Sequence, residues 1–262
     1  MWVRTWILRR PLFGQYEQLM AELMRESQGD FQAFLHMEPD LFHELCQRVG
    51  PRITKSNQAQ PPLDPALKMA ITLRYLATGN TYRSLTFAFR VPHNTISGFV
   101  PEVCRAIVEE YRDEAFSTPD NPAAWREVEE RFRTRWNFPH CCGAIDGKHV
   151  AIRCPPHTGT HYHNYKGFFS IVVLAVVDAN YKFLWTHVGS PGSNSDAGIF
   201  NRSLLEPALR RGTLGLPDPD HLPNDNMDMP YFLVGDDAFP LRKWMMKPFS
   251  HRFLSREERE DL

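Results

Sequence analysis

An α+β chain is the fold class this sequence predicts: an all-helical N-terminal part followed by a mixed β-sheet. Three observations predict it. Through the first half, apolar residues recur at three- and four-residue steps, as in Phe34, Leu35, Leu41, Phe42 and Leu45, the period of an amphipathic helix. After residue 139 the pattern changes to short apolar runs of strand length, the longest unbroken one being Ile171–Val177. Two of these runs close on carboxylates, Asp146 and Asp236. Acids leaving neighbouring strand ends repel one another unless a cation lies between them, and Mg²⁺ or Mn²⁺ is the usual solution.

The helices follow in order. Residues 15–25 and 30–49 carry the helical period. Residues 55–62 are polar and end in Pro61-Pro62, a loop. Asp64 with Pro65 supplies a cap and a first-turn proline, and Gly79 supplies the stop. Thr81 opens a second helix through Phe89, and Pro92 restarts a third through Ile107, with a kink expected at Pro101. Helices of this size joined by tight turns suit a helix-turn-helix over 64–107, whose last helix presents His93, Asn94, Thr95 and Ser97 at its start. A plain three-helix packing module reads equally well. Lys68, Arg74, Arg83, Arg90 and Arg105 against Asp64 and Glu102 make the region mildly positive. A last amphipathic helix, with the stripe Trp125, Val128, Phe132 and Trp136, puts the boundary of the helical domain at 139/140.

Strands are expected at 140–146, 150–153, 168–178, 181–188 and 231–236, with a tight turn at Asp178-Ala179-Asn180 and a helix at 196–209. An antiparallel meander and a crossover returning the last strand beside the first give an RNase H-like sheet over 140–262, with Asp146 and Asp236 side by side.

Composition narrows the function. Net charge is -1, so a nucleic acid would be met by local basic patches and not by a global field. Five cysteines, an odd number with no C-x-x-C pair, suit a reducing compartment, and Cys141 and Cys142 read as small buried hydrophobes. The opening stretch, broken by Arg4 and closed by Arg9-Arg10, is too short and interrupted for a signal or membrane span. His157, His161 and His163 crowd one loop at a spacing that suits zinc, but no cysteine is placed to complete a tetrahedron. The run Gly189–Ser195 lacks the Gly-Lys-Ser/Thr of a phosphate loop and reads as a turn into a helix that Asp196 helps to cap. Nothing matches the Gly-x-Ser-x-Gly of a nucleophilic serine. Asp146-Gly147 alone reads equally as a turn, whereas Asp236-Asp237 after Phe-Leu-Val is harder to assign to solvation. Lys148, His149, Arg153 and Lys166 stand near Asp146 in sequence as phosphate contacts.

Four ordered blocks carry a resemblance. They are Cys142-Gly-Ala-Ile-Asp146-Gly-Lys-His-Val-Ala-Ile-Arg-Cys-Pro-Pro156, Asn164-Tyr-Lys-Gly-Phe-Phe-Ser-Ile171, Gly192-Ser-Asn-Ser-Asp196 and Val234-Gly-Asp236-Asp-Ala-Phe-Pro-Leu241. With the helical region from Asp64, they resemble the PIF/Harbinger transposase-derived nucleases, with their DDE-type endonuclease domain. The resemblance implies an RNase H-like fold in which Asp, Asp and Glu hold two divalent ions for phosphodiester displacement. It places the first and second acids at Asp146 and Asp236, and adds Asp196 as a ligand or a supporting group. It also implies a DNA substrate, a nuclear location and a separate Myb-like partner for DNA binding.

The family's glutamate follows a segment of the type Phe-Asn-x-x-Leu-Ser-x-Ala-Arg, well past the second Asp. No such segment precedes Leu262, and Glu257, Glu258 and Glu260 come too early to replace it. The alternative expectation is therefore a catalytically inactive DNA- or protein-binding remnant. A third is a transcription regulator using the helix-turn-helix alone.

Overall fold

A computed structural model describes residues 4–54, 62–116, 118–223 and 225–248, and its contacts divide the chain into two units, Met1–Asp113 and Glu114–Leu262. Most of the polar stretch at 55–62 and the acidic tail with Glu257, Glu258 and Glu260 lie outside the described residues.

In the first unit, α1 (Thr5–Leu8), α2 (Arg10–Phe13) and a π-helical turn (Tyr16–Met20) lead into α3 (Ala21–Glu26). The helix expected over 30–49 is two helices, α4 (Gln28–Leu35) and α5 (Pro39–Ile53). His36 turns left-handed at φ 54°, and Pro39 opens α5 because its ring bars the preceding residue from helical backbone. Next come α6 (Pro65–Thr78), α7 (Tyr82–Phe89) and α8 (His93–Ala115). Their punctuation follows the sequence. Asp64 accepts the Ala66 N–H at 3.0 Å, Gly79 is left-handed at φ 64°, and Thr81 accepts the Ser84 N–H at 3.2 Å. The helix α8 passes through Pro101 as one element; Phe99, Val100, Val103 and Ala106 are buried on both sides of the missing N–H. Phe31, Phe42, Val49, Ile71, Phe89 and Ile96 are among the residues that form the core of this unit.

The second unit opens with α9 (Pro122–Trp136), whose Asn121 cap accepts the Ala124 N–H at 3.0 Å. The sequence put this helix with the helical domain and the boundary at 139/140. The contacts put it with the sheet, because Trp125, Val128 and Phe132 are buried in one core with Cys141, Cys142 and Leu174. Both thiols are fully buried, and burial pushes that of Cys141 up to about 12.

The strands β1 (Cys141–Ala151), β2 (Ser170–Val177) and β3 (Phe183–Pro191) form an antiparallel meander. Asp178 closes its second turn, accepting the N–H groups of Asn180 and Lys182 at 2.8 Å each. The helices α10 (Asp196–Arg202) and α11 (Leu205–Arg210) follow; the one helix expected over 196–209 breaks at Ser203, whose Oγ accepts the Leu205 N–H at 3.2 Å. A two-residue ribbon, β4 (Asp220–His221) with β5 (Asp228–Met229), precedes β6 (Phe232–Val234), which returns parallel to β1, and β7 (Met245–Met246) joins it. The order β3-β2-β1-β6-β7 is the RNase H-like mixed sheet, with the two acid-bearing strands paired at its centre.

Candidate active site

The position of Asp146 differs from the expected strand end. Residues 140–146 and 150–153 are not separate runs; β1 continues through Asp146-Gly147, and Asp146 pairs with Ala175 of β2. A turn at Asp-Gly loses to a ladder of eight paired positions from Ala144 to Ala151. On the other side, the three-residue β6 ends at Val234, opposite Ala144. Asp146 and Asp236 each lie two residues past that last paired position. Both carboxylates are exposed.

A methyl group on Gly235 would lie 2.7 Å from the Phe239 ring and 3.0 Å from Ile145. Asp236 is fixed by a tight turn, its Oδ1 accepting the Ala238 N–H at 3.0 Å. Asp237 is drawn aside by Lys247, whose ammonium donates to its Oδ1 at 2.9 Å.

Asp196 completes the acidic group. The cap of α10 is Ser195 and not Asp196: the Ser195 Oγ accepts the Gly198 N–H at 3.2 Å. Asp196 is thereby released to lie against β1, so close that a methyl on Gly147 would sit 2.0 Å from its Oδ1. That oxygen is buried and has no hydrogen-bond partner. Burial first, then the charges of Asp146 and Asp236, push the Asp196 carboxyl above the ordinary aspartate value, while His149 and Lys166 pull it back.

The remaining residues sort by place. Lys148 is exposed two positions along β1 from Asp146, on the same side of the strand. Arg153 is exposed beyond the end of β1, and Lys166 is exposed on the loop before β2. His93, Asn94 and Thr95 are exposed at the start of α8, in the other unit. They help line a cleft of about 590 Å³ that also involves Arg83. Three of the basic residues counted near them serve the fold: Lys68 donates to the Ile53 carbonyl at 2.6 Å, Arg90 to that of Trp6 at 2.6 Å, and Arg74 to that of Phe34.

Sequence reasoning missed the support beneath the site. The His149 Nδ1 lies 2.9 Å from the Ser170 Oγ, which also accepts from the Asn164 amide at 2.9 Å. Only the presence of Asn164 and Ser170 in one ordered block hinted at it.

All three acids offer hard oxygen donors suited to Mg²⁺ or Mn²⁺, and the orphaned Asp196 oxygen marks negative charge left uncompensated. Among the described residues no three His, Cys, Asp or Glu groups stand close enough to enclose an ion, the histidine loop included.

The RNase H-like sheet order puts Asp146 and Asp236 each two residues past the last β1–β6 pair. Residues 145–261 match the family model described as DDE superfamily endonuclease. "Protein ALP1-like" of Arabidopsis thaliana is 25% identical over 228 residues, 84% of this chain and 54% of the relative. "Putative nuclease HARBI1" is 24% identical in both Rattus norvegicus and Homo sapiens over 204 residues, 78% of this chain and 54% of each relative. The chain thus spans about half the length of the curated relatives it matches. No solved structure matches it. The chain is thus similar to the DDE superfamily endonucleases over residues 145–261, and to proteins named putative nuclease HARBI1 over 78% of its length. No helix among the described residues is long and apolar enough to cross a membrane.

Proposed function

We propose that this chain is a divalent-metal-dependent endonuclease that hydrolyses DNA phosphodiester bonds in the nucleus. The observation that carries the reading is the matching position of Asp146 and Asp236, two residues past the last β1–β6 pair, with Asp196 against Gly147 and its carboxyl raised by burial and then by the charges of those two acids. Asp146 and Asp236 would hold Mg²⁺ or Mn²⁺, with Asp196 as a further ligand or as the group that orients bound water. When bound, the cation supplies charge neutralisation and Lewis-acid activation at the phosphate.

The chain's own residues do the rest. Lys148, Arg153 and Lys166 meet phosphate oxygens and hold the strand in register. A carboxylate oxygen of Asp146 or Asp236 not engaged by the cation would accept the proton of the attacking water. The helices α6 to α8 act as a helix-turn-helix, with His93, Asn94 and Thr95 facing DNA. Net charge of -1 supplies little autonomous attraction to DNA, which supports a basic, Myb-like partner for delivery to the target.

Nicking of supercoiled DNA by the full chain in Mn²⁺ is the test. The wild type cleaves, and Asp146→Asn lowers the rate by roughly 10³-fold or more, equivalent to about 4 kcal/mol of transition-state stabilisation. Cleavage that survives Asp146→Asn, or none by the wild type, sinks the enzyme reading. The second result would favour a catalytically silent DNA-binding protein, the reading supported by the absence of three closely grouped ligands among the described residues.

A further inference from the structure

The loop between β1 and β2 holds a feature that the carboxylates do not use. Tyr165 at its tip is 83% exposed. An aromatic ring left this open is usually at the edge of a mobile loop, but this loop is pinned from beneath. Asn164 is 3% exposed, and its Oδ1 accepts the N–H groups of Lys166 at 2.9 Å and Phe168 at 3.2 Å. Its amide donates to the fully buried Ser170 at 2.9 Å. The main chain closes the same turn: the Asn164 N–H donates to the Phe168 carbonyl at 2.9 Å, and Gly167 supplies a left-handed φ of 86°. Exposure of Tyr165 is therefore built into the turn.

The ring also meets the strand that carries Asp146. It meets the His149 ring edge-on at 5.6 Å between centroids, and the Lys166 ammonium lies 5.3 Å from its centre. Lys166 supplies a cation beside the ring, and His149 stands two residues along β1 from Gly147, against which Asp196 packs. A flat apolar surface, a cation on the next residue and an acidic site within electrostatic reach match what a single nucleotide offers: a base face, and a phosphate directed toward a reacting centre. In an intact duplex that face is covered by the neighbouring base pairs.

We propose that Tyr165 stacks on an unpaired base next to the scissile phosphate while Lys166 holds the adjoining phosphate, so that the substrate class is DNA with a locally unpaired strand. This rests on the nuclease reading above and adds to it a residue that sets substrate preference. The Asn164–Ser170–His149 chain is the positioning device, fixing the turn that carries the tyrosine to β1.

The test uses the full chain carrying Asp146→Asn, so that binding is read without cleavage, and oligonucleotides with 2-aminopurine in an unpaired tract or in a full duplex. Binding to the unpaired tract should quench 2-aminopurine. Tyr165→Ala should abolish the quench and weaken that binding by roughly 5- to 150-fold, with duplex affinity changed less than about twofold. Tyr165→Phe should keep both, because the ring and not the hydroxyl does the stacking. Both variants should melt with the parent, since the side chain lies in solvent. Equal affinity in Tyr165→Ala, or equal losses on paired and unpaired DNA, overturns this inference and leaves the nuclease reading standing. A parent that binds neither DNA overturns this inference, while the nuclease reading stands or falls on the nicking of supercoiled DNA. Quenching that depends on Tyr165, in a chain whose wild type never cleaves, upholds the stacking and overturns only the nuclease reading.

Discussion

Asp196 and Gly147 show how much of the site turns on single residues. The Asp196 carboxyl is raised above the ordinary aspartate range by burial and by Asp146 and Asp236. Between the ordinary and the raised value the folded chain holds more protons than the unfolded one, so stability falls as pH rises through that window. Asp196→Asn should therefore melt above the wild type at pH 7, and the gap should close below the window. Added Mn²⁺ should raise the wild-type melting temperature more than the variant's. Thermal melts across pH, with and without metal, check this; a variant melting below the wild type at pH 7 refutes it. Gly147→Ala would place its methyl 2.0 Å from the Asp196 Oδ1. Forcing the two apart should cost about 1–3 kcal/mol in chemical denaturation and reduce cleavage together with stability. At this scale Asp146 and Asp236 were legible in the sequence, because a carboxylate closing an apolar run is a local pattern. The role of Gly147 was not, since it depends on a residue 49 positions away in the chain, 196 − 147.

The elements explain why the acids are accessible. The eleven-residue β1 is paired along its length from Ala144 with β2, whereas β6 spans three residues and leaves its partner at Val234. The difference in length leaves Asp146 without a partner on β6. The turn from Asn164 to Phe168 is the other decisive element, carrying Tyr165 and Lys166. Asn164→Ala would leave the Lys166 and Phe168 N–H groups and Ser170 short of a buried partner, at a cost of about 1–3 kcal/mol. Urea denaturation of the full chain measures this, and a loss below about 0.5 kcal/mol would mean that water replaces the amide freely. Caps and stops at Asp64, Gly79 and Thr81 were legible because they act within one turn of helix. Breaks at His36 and Ser203 were not, because the apolar period runs on across both.

In the molecule as a whole, the contacts divide the chain after Asp113, which defines the fragment that tests DNA binding by the helical unit. Residues 1–113 should bind duplex DNA weakly, with affinity falling as salt rises, because few exposed cations face the phosphates. Lys68, Arg74 and Arg90 already serve backbone carbonyls. Absence of binding by a folded fragment would leave α6 to α8 as a packing module. The sequence by itself determined the helical and strand character of the two parts, most helix starts, the two strand-borne acids and the blocks that mark the family. All of these are written in local periodicity, capping and residue order. Only the tertiary structure decided that α9 belongs with the sheet, that Asp146 lies within a continuous strand, and that Asp196 packs against Gly147 of that strand. Those outcomes depend on which surfaces bury one another and where charges meet, and long-range packing sets both.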